Sequence, residues 1–164
     1  MKKLLLLVFC IFTVSCYSQK RFKNKSEKYI RHIEVDKVLQ PYFDDLVHLY
    51  NLNEVFIDYT KIKKIRTHNG IMVDSNGNVL AGYYDEDSVI WVKISHPTAV
   101  NFGIYDQILM AIIAHEIGHS QGFEHVGDED ADNLMYEGNG PVYDNLILKK
   151  KTLTEILLSP YKKQ

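Results

Sequence analysis

The stretch His115-Glu116-Ile117-Gly118-His119-Ser120-Gln121-Gly122-Phe123-Glu124-His125 decides how this chain is read. On a helix, positions i and i+4 lie one turn apart on one face, so His115 and His119 can present their imidazoles to one ion. Glu116 projects beside that site without coordinating, which is what a general base for a metal-held water requires. Gly122 has no Cβ, so it can stop the helix in a left-handed conformation and turn the chain sharply. His125 is then swung back to the same ion from outside the helix. Three neutral imidazoles leave a fourth tetrahedral position open, the arrangement of a catalytic zinc site. A bare pair of histidines at i and i+4 is often a solvated or core feature; Gly122 and His125 in register make coincidence improbable.

Elements are read outward from this point. Asp106 is the expected N-cap of the helix carrying Ile108, Leu109, Ala111, Ile112, Ile113 and Ile117, ending near Gly122. Upstream lies a β-rich block: Val55–Tyr59, Ile62–Thr67, Ile71–Val73, Val79–Tyr84 and Val89–Ile94, punctuated by turns at Asn69-Gly70 and Asn76-Gly77. Asp74-Ser75-Asn76-Gly77-Asn78 superficially resembles a calcium loop but lacks its distal Glu, and reads as a hairpin turn. Before the block, apolar residues from Tyr29 to Tyr50 recur mostly at helical spacing, with Pro41 breaking or starting a turn. After the metal motif, Asp144–Leu158 reads as an amphipathic helix with a lysine cluster on its exposed side. The order predicts an α+β domain: a twisted mixed sheet, an active-site helix and a C-terminal helix.

The chain has 164 residues, which suits one domain. Residues 1–18 read as an export signal: basic Met1-Lys2-Lys3, an apolar run Leu4–Val14 too short to span a bilayer, then small and polar residues. Residues 19–164 form the single expected domain. Cleavage after Ser18 gives a free secreted or periplasmic protein, the expected outcome. The lipobox-like Thr13-Val14-Ser15-Cys16 would instead make Cys16 a lipid anchor and the protein a membrane-bound lipoprotein. Cys10 and Cys16 both lie in this segment, so the mature domain has no thiolate for zinc and no disulfide. Without Lys2 and Lys3, 17 basic residues face 21 acidic ones. That net charge of −4 argues against a nucleic-acid partner.

The motif HExxHxxGxxH, followed ten residues later by Asn133-Leu134-Met135-Tyr136, resembles the metzincin clan of zinc peptidases. The matrixin branch is the most similar, because Tyr136 directly follows Met135 and Ile113-Ala114 precedes the motif. The resemblance implies one catalytic Zn²⁺ on His115, His119 and His125, Glu116 as base, and Met135 as an apolar floor beneath the metal. It implies hydrolysis of internal peptide bonds in a polypeptide substrate by a monomeric enzyme. It further implies substrate contacts at Leu80 and Ala81 on an edge strand, at Ala114 and Tyr136, and at Pro141 and Tyr143 as a pocket wall. Gly82 stands where matrixins carry a histidine of a second zinc site, so that site is not expected. The acidic run Asp128–Asp132 would bind Ca²⁺ in some relatives of this clan, but such a run more often is a solvated loop. Two further readings are a non-catalytic secreted zinc protein, against which Glu116 argues, and a proteolytic effector of narrow specificity.

Overall fold

A computed structural model describes residues 30–137 and 140–162, so the expected export signal and Cys16 lie outside the described residues. The main sheet has four strands, β1 (Glu34–Val35), β2 (Lys64–His68), β6 (Val89–Lys93) and β5 (Gly82–Tyr84), in the order β1-β2-β6-β5. β1, β2 and β6 run parallel, and β5 lies antiparallel to β6 along the other edge. Ile65, Ile90 and Val92 are buried on one face while Trp91 and Lys93 are only partly covered, the alternation of a half-buried sheet. The predicted α+β class with a twisted mixed sheet is the class observed.

β3 (Met72–Val73) and β4 (Val79–Leu80) form a separate hairpin. Its turn is closed by Asp74, whose carboxylate accepts from the Asn76 and Asn78 N–H groups and the Asn78 side chain, each at 2.8 Å. Gly77 supplies the positive φ of 85°. The stretch is thus a turn, as expected, with its acidic group occupied internally.

Helix α1 (Gln40–Leu52) starts with Pro41 in its first turn, where a missing N–H costs nothing, and buries Phe43, Leu46 and Tyr50. The short α2 (Pro97–Asn101) leads to α3 (Tyr105–Gln121), the long helix of the motif. α3 is buried on nearly every side: Ile108, Leu109, Ile113 and Ile117 are at most 1% exposed. It lies between β5 and β6 on one side and α1, α4 (Gly140–Ile147) and α5 (Leu153–Leu157) on the others. Such an all-round apolar helix is the core itself.

Three expected elements differ. Val55–Asp58 is not a strand: the Gln121 side chain accepts from the Asp58 N–H at 2.8 Å, and the Asp58 carboxylate caps a 3₁₀ turn at Thr60. The Val55 N–H donates to the Tyr50 carbonyl and the Ile57 carbonyl accepts from the Tyr59 N–H, so local backbone bonds and the Gln121 side chain replace a ladder. Asp106 lies inside the first turn of α3, after the N-cap Ile104, and its carboxylate accepts from the Tyr42 hydroxyl at 2.7 Å. The expected helix Asp144–Leu158 is two helices, because Lys149 takes a φ of 53° and Thr152 starts α5 with a capping box to Glu155.

Candidate metal centre

α3 places His115 and His119 one turn apart and ends at Gly122, which sits in the left-handed region at φ 93°, ψ 14°. The Gly122 N–H donates to the His119 carbonyl at 2.9 Å and the Phe123 N–H to the Gly118 carbonyl at 3.1 Å. This paired closure ends the helix within one residue and brings His125 back to the first two histidines. The three Nε2 atoms converge at 3.0 Å (His115–His119), 3.1 Å (His119–His125) and 3.2 Å (His115–His125).

The other ring nitrogens explain what that convergence is for. His115 Nδ1 lies 2.7 Å from the Leu134 carbonyl, and His119 Nδ1 lies 2.9 Å from the Phe123 carbonyl. A carbonyl can only accept, so each Nδ1 carries the proton and each Nε2 is a bare lone pair. Lone pairs facing one another at 3.0 Å repel unless a cation sits between them. Zinc with Zn–N bonds of about 2.0–2.1 Å in a tetrahedron sets its nitrogens about 3.3 Å apart. The donor set therefore fits one Zn²⁺, and outer carbonyls that orient ligating imidazoles are the usual support of such a site. Burial lowers both helix histidines, His115 to about 4, so their imidazoles are neutral and ready to ligate. His125 is exposed, so the centre opens to solvent on that side.

Glu116 is 4% exposed and wedged under the edge strand β5. Burial pushes its carboxyl up to about 8, while a hydrogen bond from the Tyr84 N–H draws it down. Its Oε2 has no hydrogen-bond partner among the described residues. The edge strand can lie this close because residue 82 is glycine. A Cβ there would meet Ile112 Cγ2 at 2.7 Å, Glu116 Oε1 at 2.9 Å and the Trp91 carbonyl at 3.0 Å. Gly118 has the same relation to Met135, whose Sδ occupies the space a Cβ would need. Met135 is 1% exposed, and its N–H donates to Asn133 Oδ1 at 3.0 Å. Sequence reading overlooked both glycines as site residues. The available sign was a glycine inside a strand and another inside a helix, positions where glycine is costly unless two groups must approach closely.

The remaining candidates are scattered. Leu80 is paired with Met72 in the separate hairpin, and the Ala81 carbonyl accepts from the Lys93 N–H at 2.8 Å. From that register, Gly82 and Tyr84 are the residues whose backbone groups face the free edge. Ala114 is fully buried and presents no surface. Tyr136 pairs with Val126 and donates to Asp128 Oδ1 at 2.8 Å. Pro141 and Tyr143 lie in α4, and the Tyr143 hydroxyl is 3.2 Å from His96 Nδ1. A small depression beside His115 is lined by Ile108, Ala111, Ile112, Leu134 and Val142. The acidic run is engaged internally: Asp130 accepts from Asn133, and Asp132 from Asn145 and Lys151.

No protein-family model matches the chain, and no solved structure gives a significant match. Among curated proteins it is similar to Endoribonuclease YbeY of Thermosipho melanesiensis, 28% identical over 133 residues that span 77% of this chain and 92% of the relative. That relative is by name an enzyme of RNA, which overturns the expected polypeptide partner and the exclusion of nucleic acid. The exclusion rested on a net charge, −4 without Lys2 and Lys3, and such a sum does not report the charge along a cleft. What the histidine triad and this similarity support together is a zinc-binding protein related to a hydrolytic enzyme.

Proposed function

We propose that this chain is a zinc-dependent hydrolase that cleaves RNA phosphodiester bonds with water. The observation that carries the reading is the convergence of three Nε2 atoms, with each helix imidazole locked by a backbone carbonyl. The substrate class rests on the similarity to an endoribonuclease along most of both chains. The metzincin resemblance supports the apparatus, with Glu116 as base and Met135 as floor, and not the choice of substrate.

Bound zinc would supply a Lewis acid and lower the pKa of water. The chain's own groups do the rest. His115, His119 and His125 hold the ion, with the Leu134 and Phe123 carbonyls fixing the two helix rings. Glu116 is the base: its carboxylate takes the proton of the attacking water and returns it to the leaving oxygen. The free edge at Gly82 offers backbone groups beside Glu116, while the Tyr84 N–H on that edge is given to the Glu116 carboxylate. Residues 1–18 are part of this reading as an export signal, tested by the N-terminal mass of the exported protein.

The test is to incubate the zinc-loaded protein with single-stranded RNA and, separately, with an unstructured polypeptide, using wild type and Glu116→Gln. RNA should be cut, and Glu116→Gln should lower the rate about 10²- to 10⁴-fold while zinc stays bound. A protein that cuts the polypeptide and leaves RNA intact would refute the proposed substrate. One that binds zinc and cuts neither would refute catalysis altogether.

A further inference from the structure

We infer that Ser159 and Tyr161, on the last described turn of the chain, are positioning residues for both helix-borne zinc ligands. This inference depends on the zinc site alone and holds whichever substrate is cleaved.

The two carbonyls that orient the imidazoles belong to loops, and loops need support to hold a fixed hydrogen bond. The Leu134 carbonyl receives His115 Nδ1–H at 2.7 Å. The N–H of the same residue donates to Ser159 Oγ at 2.7 Å, and that hydroxyl donates onward to the Ile156 carbonyl at 2.7 Å. The Ser159 proton is therefore committed to Ile156, and its lone pairs face Leu134. The brace runs from α5 through Ser159 and the two peptide groups that flank the Leu134 Cα to the His115 ring. Since α5 is anchored by Ile156 and Leu157, both buried, the brace ends on rigid core.

The second arm starts two residues later. The Tyr161 ring packs edge-on against Phe123 with centroids 5.3 Å apart and against Tyr50 at 5.4 Å. Phe123 supplies the carbonyl that receives His119 Nδ1–H at 2.9 Å. Tyr50 is 1% exposed in α1, so Tyr161 ties the Phe123 loop to a helix on the far side of the core. It is the ring of Tyr161 that touches Phe123, so the ring carries this arm. One 3₁₀ turn, Ser159–Tyr161, thus braces two separate loops that each fix one ligand.

Zinc affinity, read by competition with a chromophoric chelator on protein shown folded by circular dichroism, tests both arms. Ser159→Ala should weaken zinc binding about tenfold or more, and Ser159→Thr, which keeps the hydroxyl, should restore it to within twofold. Tyr161→Leu should weaken binding about threefold or more, while Tyr161→Phe should not change it. The absorption spectrum of the cobalt(II)-loaded protein should change in Ser159→Ala and return in Ser159→Thr. A purely structural role would lower the unfolding temperature of the metal-free protein and leave affinity and spectrum alone. Folded Ser159→Ala and Tyr161→Leu that both bind zinc within twofold of wild type would overturn the inference. If Ser159→Ala does not fold, the Tyr161 pair is read by the same criteria.

Discussion

Gly82 and Gly118 are both missing-Cβ positions, but they guard different parts of the site. A Cβ at Gly118 would strike Met135 Sδ beneath the metal ligands, whereas one at Gly82 would strike Ile112 and the Glu116 carboxylate. In an exposed helix, glycine to alanine gains about 1 kcal/mol of helix propensity. Here Gly118→Ala is expected to lower stability and zinc affinity together, because Met135 must leave a packed position. Gly82→Ala is expected to leave zinc affinity unchanged and to slow turnover about tenfold or more, because the base and the edge strand shift. Chelator competition and single-turnover rates on the two variants separate these effects. Equal loss of zinc in both would show that the two glycines do not divide the work in this way. The metal motif itself was legible because ligand geometry dictates its spacing. The two glycines belong to no spacing rule, since each answers to a residue distant in sequence or to a neighbouring strand.

The same distinction separates elements that sequence predicts from those it does not. β2 and β6 carry their own alternating pattern and α3 an apolar run ending in the metal motif, and all three lie close to where these put them. Val55–Asp58 has a strand-like pattern but is satisfied by Gln121 from α3, a partner 63 positions away for Asp58. β1, in turn, is a strand of two residues that no periodicity would find. Its hold on the sheet comes from Asp36, just after it. Asp36 Oδ2 accepts from the Thr67 N–H at 2.8 Å and hydroxyl at 3.0 Å, and Oδ1 from Arg66 Nη1 at 2.8 Å. The Thr67 backbone bond, with the Arg66 and Thr67 side chains, holds the Asp36 carboxyl below its ordinary value of 3.8. A depressed folded pKa contributes stability that is present above 3.8 and is lost as pH falls through the folded value. Asp36→Asn is therefore expected to cost about 1 kcal/mol at neutral pH, the group being partly solvated. The gap between variant and wild type should close as pH drops from 4 towards 2. Urea unfolding at several pH values reads this directly, and a gap that widens in acid would refute the assignment.

At the scale of the whole molecule, zinc would tie α3 to the loops that follow it. Its ligands come from α3 and from the segment beyond Gly122, and its orienting carbonyls come from the Phe123 and Leu134 loops. The substrate was not legible at this scale. A Lewis acid, a base and water serve attack on a carbonyl carbon or on phosphorus alike, so the metal motif is silent between them. What the motif does commit the molecule to is a stability that depends on metal. Zinc binds the folded site, and a ligand at about 100 times its dissociation constant adds about 2.7 kcal/mol. For a domain of this size that corresponds to about 5–10 °C in the unfolding temperature. Chelation should remove this increment, and stoichiometric zinc should restore it. His125→Ala should lack the increment, yet match chelated wild type to within a degree or two, because His125 is exposed and outside the apolar core. A His115→Ala chain differs, since that ring is also tied to the Leu134 carbonyl, and it should unfold at a lower temperature than chelated wild type. Thermal unfolding with and without chelator measures all three, and an unfolding temperature indifferent to zinc in wild type would remove the metal centre as an organiser of this fold.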